Sequence, residues 1–202
     1  MYKQRKASTR FHTRAAVLLL TAVGCGGADG DEAAALPPGT ELLENGDFGQ
    51  GLAPWSGNVE DPANATYMVE AGEAVIEVHP IGIDSGGIQL NYTSGLNLHQ
   101  GERYRLTFRA RATPDRTIKA SVWENGHDLD HNGFAWSPHQ SNEHALIATM
   151  RSFTVEWSMP VTNTDAGVCF FMTANPGAPV LIEDGEVVID DVSLTTRAPG
   201  PD

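Results

Sequence analysis

An unbroken alternation of apolar and polar side chains over residues 103–111 constrains this fold more than any other part of the sequence. Tyr104, Leu106, Phe108 and Ala110 fall in one phase, and four arginines with one threonine fill the other. A period of two belongs to an extended strand, because successive side chains of a strand point to opposite sides. These residues are therefore predicted to form a β-strand with one face in the core and the other in water.

Beyond residue 40, the rest of the chain consists of shorter segments that are also typical of β-strands. Runs rich in β-branched and aromatic residues are separated by Gly, Pro, Asn and Asp, and no amphipathic helix of useful length is found. Strands are predicted at 66–70, 74–79, 87–92, 103–111, 117–124, 152–159, 168–173, 180–182 and 186–194. So many strands in one domain need two packed sheets, which predicts an all-β fold, a two-sheet β-sandwich of the jelly-roll type.

The N-terminal residues 1–24 are predicted to be an export signal. Five basic residues precede an apolar run that begins at Ala15 and is too short to span a membrane. Val23 and Gly24 before Cys25 resemble a bacterial lipobox, although position 22 is Ala rather than the commoner Leu. We therefore predict a protein exported to the bacterial envelope and lipid-anchored through Cys25 at the outer membrane or cell surface; an ordinary cleaved signal is the alternative.

The composition of residues 25–202 indicates a tether, a folded domain and a tail, and their acidic charge limits the classes of ligand that the domain can bind. Residues 25–40 hold almost nothing that could fill a core and are predicted to be a flexible tether. The sandwich is predicted over 41–196, with a tail at 197–202. Without residues 1–24 the chain has eight Lys and Arg against 26 Asp and Glu, which disfavours nucleic acid and anionic lipid headgroups. Neutral ligands and divalent cations stay possible, membrane contact is expected only through the lipid anchor, and a monomer is expected.

Two side-chain patterns are predicted to be structural. Cys169 lies in an apolar run and is interpreted as a buried, unreactive thiol. The arginine face of 103–111 is interpreted as paired with acids on neighbouring strands, and contact with an anionic ligand is the alternative.

Asp190 breaks the pattern of the last strand. Val188, Val192 and Leu194 set an inward phase, and Asp190 falls within it. An inward carboxylate is costly unless it is paired or binds a cation. Calcium, which prefers oxygen ligands, is one explanation, and a carboxylate satisfied by backbone amides at a frayed strand end is the other.

Six stretches together, in order over about residues 41–195, resemble the cellulase-associated carbohydrate-binding modules of families 4, 9 and 22. The stretches are LENGDF at 43–48, PW at 54–55, IQL at 88–90, GERYRLTFRAR at 101–111, FTV at 153–155 and IDDVSL at 189–194. The resemblance implies a galactose-binding-domain-like jelly roll that binds glycan chains in a groove on one sheet. It also implies a structural calcium ion held by the carbonyl of Asp47 and by Asp190, with Glu70 as a further ligand.

The ligand side of the resemblance is less complete. Family members often carry an aromatic platform where this chain has Ser85-Gly86-Gly87. Candidate carbohydrate-binding residues are the amides on one phase of the predicted strand at 87–92 and the aromatics around the loop that begins near residue 125. These are Gln89, Asn91, Trp123, Phe134 and Trp136. Aromatic rings can stack on sugar C–H faces while amides bind hydroxyls. Trp55 and Trp157 are interpreted as core.

The segment at 127–139, HDLDHNGFAWSPH, leaves three interpretations open. Asp128, Asp130 and Asn132 before Gly133 match the first half of a calcium loop, but His139 stands where an EF-hand needs Glu. A solvated loop bordering the sugar site and a zinc-type site using the histidines are the alternatives.

The function predicted from the sequence is a non-catalytic polysaccharide-binding module displayed at the envelope, with a β-glucan or xylan as the expected ligand. Asp84-Ser85-Gly86-Gly87 copies a trypsin-like signature, but about 160 residues cannot supply the two barrels and the upstream His and Asp of such a protease. An envelope scaffold or adhesin that binds protein, and a small polysaccharide hydrolase or lyase, are the alternatives.

Overall fold

The computed structural model describes residues 36–59, 64–79, 88–124, 140–172 and 184–199, all within one compact unit, Ala34–Asp202. Within these ranges the chain forms eleven strands and no helix. They are β1 (Trp55–Val59), β2 (Asn64–Glu70), β3 (Glu73–His79), β4 (Ile88–Tyr92), β5 (Leu96–Leu98), β6 (Arg103–Thr113), β7 (Arg116–Glu124), β8 (Gln140–Leu146), β9 (Arg151–Ser158), β10 (Asn163–Phe171) and β11 (Gly185–Arg197). Accordingly, no helix that could cross a membrane is found among the described residues.

The strands form two antiparallel sheets. Sheet I has the order β1-β4-β10-β7-β8, with β5 also paired to β10, and sheet II has the order β2-β3-β11-β6-β9. Non-consecutive neighbours in both sheets show that the chain crosses repeatedly from one sheet to the other. This arrangement confirms the predicted two-sheet jelly-roll sandwich.

The core lies between the sheets and is built from the inward phase of each strand. Leu106 and Phe108 of β6 are almost completely buried, as are Leu90 of β4 and Phe170 of β10. Phe108 contacts Phe170 across the sandwich with ring centroids 4.9 Å apart. Trp55 and Trp157 are buried in the same core, as predicted. Each fully buried side chain of this size contributes about 1.5–3 kcal/mol of burial free energy.

Eight predicted strands correspond to observed ones, and residues 180–182 lie outside the described residues. The strands β1, β5 and β8 were not predicted. β1 has a glycine, Gly57, in its inward phase, β5 is only three residues long, and β8 is the largely polar sequence QSNEHAL. β1 and β8 lie at the two edges of sheet I, where less of a strand has to be apolar.

The arginines on the outward face of β6 form ion pairs with acids on the neighbouring strands, as predicted from the sequence. Arg105 pairs with Glu156 on β9, and Arg109 with Asp191 on β11 at 3.0 Å. Arg111 Nη1 lies 3.0 Å from Glu186. A face that is already covered by ion pairs offers few arginines to an anionic ligand.

The predicted inward position of Asp190 is wrong. Asp190 pairs with Arg109 and Ser193 with Thr107, so two residues of β11, Asp191 and Val192, stand opposite one residue of β6. This β-bulge, in which Asp191 has a φ of 48°, shifts the side-chain phase of the strand by one residue. Before the bulge the inward residues of β11 are the odd-numbered ones, Val187 and Ile189, and Asp190 faces outward.

Tyr67 of β2 closes the gap between the two sheets at β1. Its hydroxyl donates to the carbonyl of Asn58 at 2.9 Å, and its ring covers the inward side of Gly57. A Cβ atom on Gly57 would lie 2.3 Å from the ring. Burial raises the pKa of Tyr67 to about 12, so the hydroxyl stays a donor throughout the physiological range.

His144 of β8 joins the edge of sheet I to sheet II. Its ring meets Phe108 of β6 at 5.1 Å and Phe153 of β9 at 5.0 Å, both edge to face. Its Nε2 atom is buried with no hydrogen-bond partner among the described residues. Burial alone lowers the pKa of His144 from the usual 6.5, because an imidazolium here would lose water without gaining an acceptor.

Gly57→Ala should destabilise the fold by about 1–3 kcal/mol, because the added methyl group meets the Tyr67 ring. Chemical denaturation measures this loss. Gly49→Ala is the matched control, since a Cβ atom there meets nothing nearer than 3.5 Å. In a Tyr67→Ala background, Gly57→Ala should cost far less; an equal cost would show that the ring contact is not the cause.

Acid should weaken the fold through His144. With a folded-state pKa below the unfolded value of 6.5, the neutral ring contributes stability that is complete above pH 6.5 and is lost as pH falls through the folded-state pKa. His144→Phe should remove this pH-dependent part of the free energy of unfolding while keeping both ring contacts. Urea unfolding from pH 8 to pH 5 measures the effect, with His99→Gln as control; an unchanged pH dependence in His144→Phe would contradict the assignment.

Candidate ligand-binding face

The outer face of sheet I carries an unusual set of polar side chains at its centre. In β4 the residues Ile88, Leu90 and Tyr92 point into the core, which turns Gln89 and Asn91 to the outer face. The strand register places Asn91 beside Cys169 of β10. The next strand continues this row with Ser121 of β7.

These four side chains are buried although they lie on an outer face. Gln89 is 1 % exposed, Asn91 8 %, Ser121 2 % and Cys169 0 %. Polar groups at such depth need hydrogen-bond partners, and those that lack one usually mark a water, ion or ligand position. Of the four, Asn91 is the residue with a buried side-chain atom that has no hydrogen-bond partner among the described residues, which makes it the candidate ligand contact on this face.

The hydrogen bonds among these side chains leave one acceptor, Asn91 Oδ1, without a donor among the described residues. Asn91 Nδ2 donates to Gln89 Oε1 at 3.2 Å. The Cys169 thiol donates to the same oxygen with an S···O distance of 3.8 Å. Asn91 Oδ1 is buried and meets no donor among the described residues.

Trp123 lies further along β7 on the same outer face. It has the same phase as Ser121 and stands opposite Gly167 of β10, which has no side chain to cover the indole. The ring is partly exposed, whereas its Nε1 atom is buried. This half-covered indole can offer part of its face to an apolar surface.

Lys119 introduces the only positive charge that the described strands bring to this row. It stands between Phe171 of β10 and Glu143 of β8 in the sheet register. Among the described residues, the centre of this face therefore combines amides, an indole and one lysine that stands beside an acid in the register. Such a surface suits a neutral ligand with many hydroxyl groups better than an ionic one.

A second candidate region lies where the NGDF loop meets the bulge of β11. Val192 N donates to the carbonyl of Gly46 at 2.9 Å, which docks this loop on the bulge. The carbonyl oxygen of Asp47 is 3.7 Å from the Cβ position of Gly72, in the turn before Glu73. The loop, the turn and the bulge thus form one corner of the sandwich.

Carboxylates gather at this corner. Asp190 is 14 % exposed at its side chain, and its Oδ2 atom lies 3.5 Å from Arg109 Nη1. Burial raises the pKa of Asp190, and the charges of Asp191 and Glu73 act in the same direction. A carboxylate that is partly buried among other carboxylates is stabilised by a nearby cation.

The described residues contain no set of three or more His, Cys, Asp or Glu side chains arranged to hold a metal. Glu73 pairs with Glu70 of β2 and lies one residue before Ala74, which pairs with Ile189 of β11. Glu70 is exposed on the edge strand β2, so it stands two strands away from Asp190. A cation here would need the Asp47 carbonyl as well as the carboxylates of Asp190 and Glu73.

One open concavity of about 550 Å³ lies elsewhere, on the side of sheet II. Glu77, His79, Asp184 and Glu186 line it, and His79 Nδ1 is 3.7 Å from Asp184. Its described lining has three carboxylates and an imidazole but no Phe, Tyr or Trp. These groups suit a stacked sugar ring less well than those of sheet I.

Comparison with known proteins gives the family. The sequence profile described as "Carbohydrate binding domain", CBM_4_9, matches residues 40–177. The chain belongs to the CBM_4_9 family of carbohydrate-binding domains. This confirms the resemblance drawn from the sequence motifs.

Solved structures show the same fold in other carbohydrate-binding domains. A CBM4 structure ("CBM4 structure and function") has a TM-score of 0.62 and 21% identity, over 76% of this chain and 99% of that one. The second N-terminal cellulose-binding domain of Cellulomonas fimi β-1,4-glucanase C has a TM-score of 0.50 and 25% identity, over 82% and 99%. The first such domain of that protein has a TM-score of 0.54 and 18% identity, over 81% and 99%. No curated protein sequence matches the chain.

The structure of this carbohydrate-binding domain brings together three of the five predicted ligand residues. Gln89, Asn91 and Trp123 share the outer face of sheet I. Phe134 and Trp136 lie outside the described residues, as do Cys25 and the loop residues Asp128, Asp130 and Asn132. Sequence reasoning missed Cys169 and Ser121 on this face and Glu73 at the acidic corner. The alternation of β10, with Val168 and Phe170 inward, was the available signal for Cys169.

Proposed function

We propose that this carbohydrate-binding domain holds polysaccharide chains on the outer face of sheet I without cleaving them. The observation that carries the proposal is the buried Asn91 Oδ1 atom, an acceptor with no donor among the described residues, beside Gln89 at the centre of that face. A sugar hydroxyl supplies the missing donor. Trp123 supplies a partly exposed ring for the C–H face of a sugar.

A β-glucan or xylan is the proposed ligand. The Cellulomonas fimi domains of the same fold are named as cellulose-binding. A family 11 carbohydrate-binding module from Clostridium thermocellum, with a TM-score of 0.53 and 13% identity, is named in complex with a β-1,3-1,4-mixed-linked tetrasaccharide. Neutral glucan or xylan chains also avoid the repulsion that 26 acids against 13 bases would exert on an anionic glycan.

Display at the bacterial envelope is the second part of the proposal. Residues 1–24 would direct export, Cys25 would carry the lipid anchor, and residues 25–40 would act as the tether. An anchored domain on such a tether holds a bound polysaccharide close to the cell surface. Phe134 and Trp136, which lie outside the described residues, remain further candidates for glycan contact on sequence grounds.

A calcium ion at the corner of the NGDF loop is the third part. The carbonyl of Asp47 and the carboxylates of Asp190 and Glu73 are oxygen ligands of the kind that calcium prefers. Burial and the charges of Asp191 and Glu73 raise the pKa of Asp190, while Arg109 and the Asp191 amide lower it; a bound cation would add to the stabilisation that Arg109 already gives. Bound calcium would add a positive charge that joins the loop, the turn before β3 and the bulge of β11. Glu73 takes the place that the sequence had suggested for Glu70.

Asn91→Leu should weaken polysaccharide binding about tenfold or more, because an apolar group replaces a buried amide that meets a ligand hydroxyl. Isothermal titration of the protein with hydroxyethylcellulose, mixed-linkage β-glucan and xylan measures the affinity. Asn64→Leu, an exposed amide on β2 of the other sheet, is the matched control and should bind like the parent protein. Equal losses in the two variants would contradict a site at Asn91.

The same titration separates the alternative functions. Absence of heat with all three polysaccharides would remove the proposed function and favour a scaffold or adhesin that binds protein. Release of new reducing ends or unsaturated sugars during incubation would indicate a hydrolase or lyase instead.

Calcium removal should lower the melting temperature, because an ion that binds only the folded state stabilises it by mass action. Scanning calorimetry with chelator and with added calcium measures the shift. Asp190→Asn and Glu73→Gln should reduce the response to calcium, and Glu70→Gln should keep it. If the parent protein melts at the same temperature with calcium and with chelator, calcium does not bind at this corner.

A further inference from the structure

Gln89 Oε1 is the shared acceptor of the buried polar cluster on sheet I. It accepts one hydrogen bond from Asn91 on its own strand and one from the Cys169 thiol on the neighbouring strand. A carbonyl oxygen has two lone pairs, so these two donors fill it. The Gln89 oxygen is therefore held from two directions.

The orientation of Gln89 determines what Asn91 presents. As long as Gln89 keeps its oxygen toward Asn91, the Asn91 amide must turn its NH₂ group toward Gln89 to donate. The remaining atom, Asn91 Oδ1, is then the group left for a ligand, and it is buried with no donor among the described residues. If the Gln89 amide turned over, its NH₂ group would face Asn91, and Asn91 would turn over as well. The face would then present a donor in place of an acceptor.

We propose that Cys169 is a positioning residue of the glycan site, whose thiol keeps Gln89 and Asn91 in the orientation that presents an acceptor to the ligand. This rests on the proposed function and adds to it the polarity of the central contact. The ligand must bring a hydrogen-bond donor to this point, which a free sugar hydroxyl does. A methylated hydroxyl or a carboxylate brings none.

Burial explains why a thiol can have this role. Cys169 is 0 % exposed, and the inward neighbours Val168 and Phe170 fix its strand in the core. The S–H group is a weak donor, but it acts here on an amide that water hardly reaches. By donating to Oε1, the thiol would favour the orientation of Gln89 in which this oxygen also faces Asn91.

Three substitutions at position 169 separate positioning from packing. Cys169→Ser keeps a donor and loses volume, Cys169→Val keeps volume and loses the donor, and Cys169→Ala loses both. If Cys169 positions Gln89, affinity for mixed-linkage β-glucan should fall roughly two- to tenfold in the Val and Ala variants and stay near the parent value in the Ser variant. The melting temperature should instead follow the volume of the side chain at position 169: the Val variant should melt near the parent protein, and the Ser and Ala variants below it.

Affinity that follows melting temperature across the three variants would overturn the proposal, since Cys169 would then act through packing alone. Unchanged affinity in Cys169→Val would overturn it as well. Hydroxyethylcellulose, xylan and fully methylated cellulose are titrated in parallel, and binding of the methylated chain as tightly as its unmethylated counterpart would contradict the acceptor role of Asn91.

A readout without ligand distinguishes this inference from the proposed function. Side-chain amide ¹⁵N–¹H signals of Gln89 and Asn91 report the orientation of both amides directly. Their hydrogen exchange should become faster in Cys169→Val and Cys169→Ala and stay slow in Cys169→Ser. If the parent protein binds no glycan, the proposed function fails, while these signals still decide whether Cys169 orients the amides; identical exchange in all variants would show that it does not.

Discussion

Burial of polar side chains on the outer face of sheet I is the constraint on which the proposed function of this domain depends. Most strands of a sandwich bury one face and leave the other in water. β4 and β10 bury both, with Leu90 and Phe170 toward the core and Gln89, Asn91 and Cys169 on the other side. The apolar side chains hold the strands in place, and this gives the polar side chains of the opposite phase the fixed hydrogen-bonding pattern on which the proposed ligand site rests.

The two outer faces of the sandwich differ in charge. On sheet II the arginines of β6 are paired with acids such as Glu156, Asp191 and Glu186. Those charges satisfy one another, and the bulge at Asp191 directs Asp190 toward the same network. The centre of sheet I has amides, a thiol and an indole in place of paired charges. Among the described residues, an acidic protein thus keeps its unpaired acids away from the centre of the face on which we propose that a neutral polysaccharide binds.

The sequence was most informative where side chains alternate with a strict period of two. The alternation of β6 predicted its core residues and its ion-paired face, and the ordered motifs predicted the family. The inward position assigned to Asp190 was wrong, because a β-bulge adds one residue and reverses the phase, and nothing in the letters IDDV distinguishes a bulge from a regular strand. β8 was missed because an edge strand can be polar. Cys169 was recognised as buried, but only the pairing of β10 with β4 shows that its thiol reaches Gln89.

The most direct test of the account is to map the ligand on the protein by NMR. Backbone and side-chain amide shifts are recorded while a soluble mixed-linkage β-glucan oligosaccharide or xylo-oligosaccharide is added. The account predicts that the largest changes fall on β4, β10 and β7, including the side-chain amides of Gln89 and Asn91, with sheet II unaffected. Changes centred on the concavity around His79 and Glu186, or on the ion-paired face of β6, would contradict it.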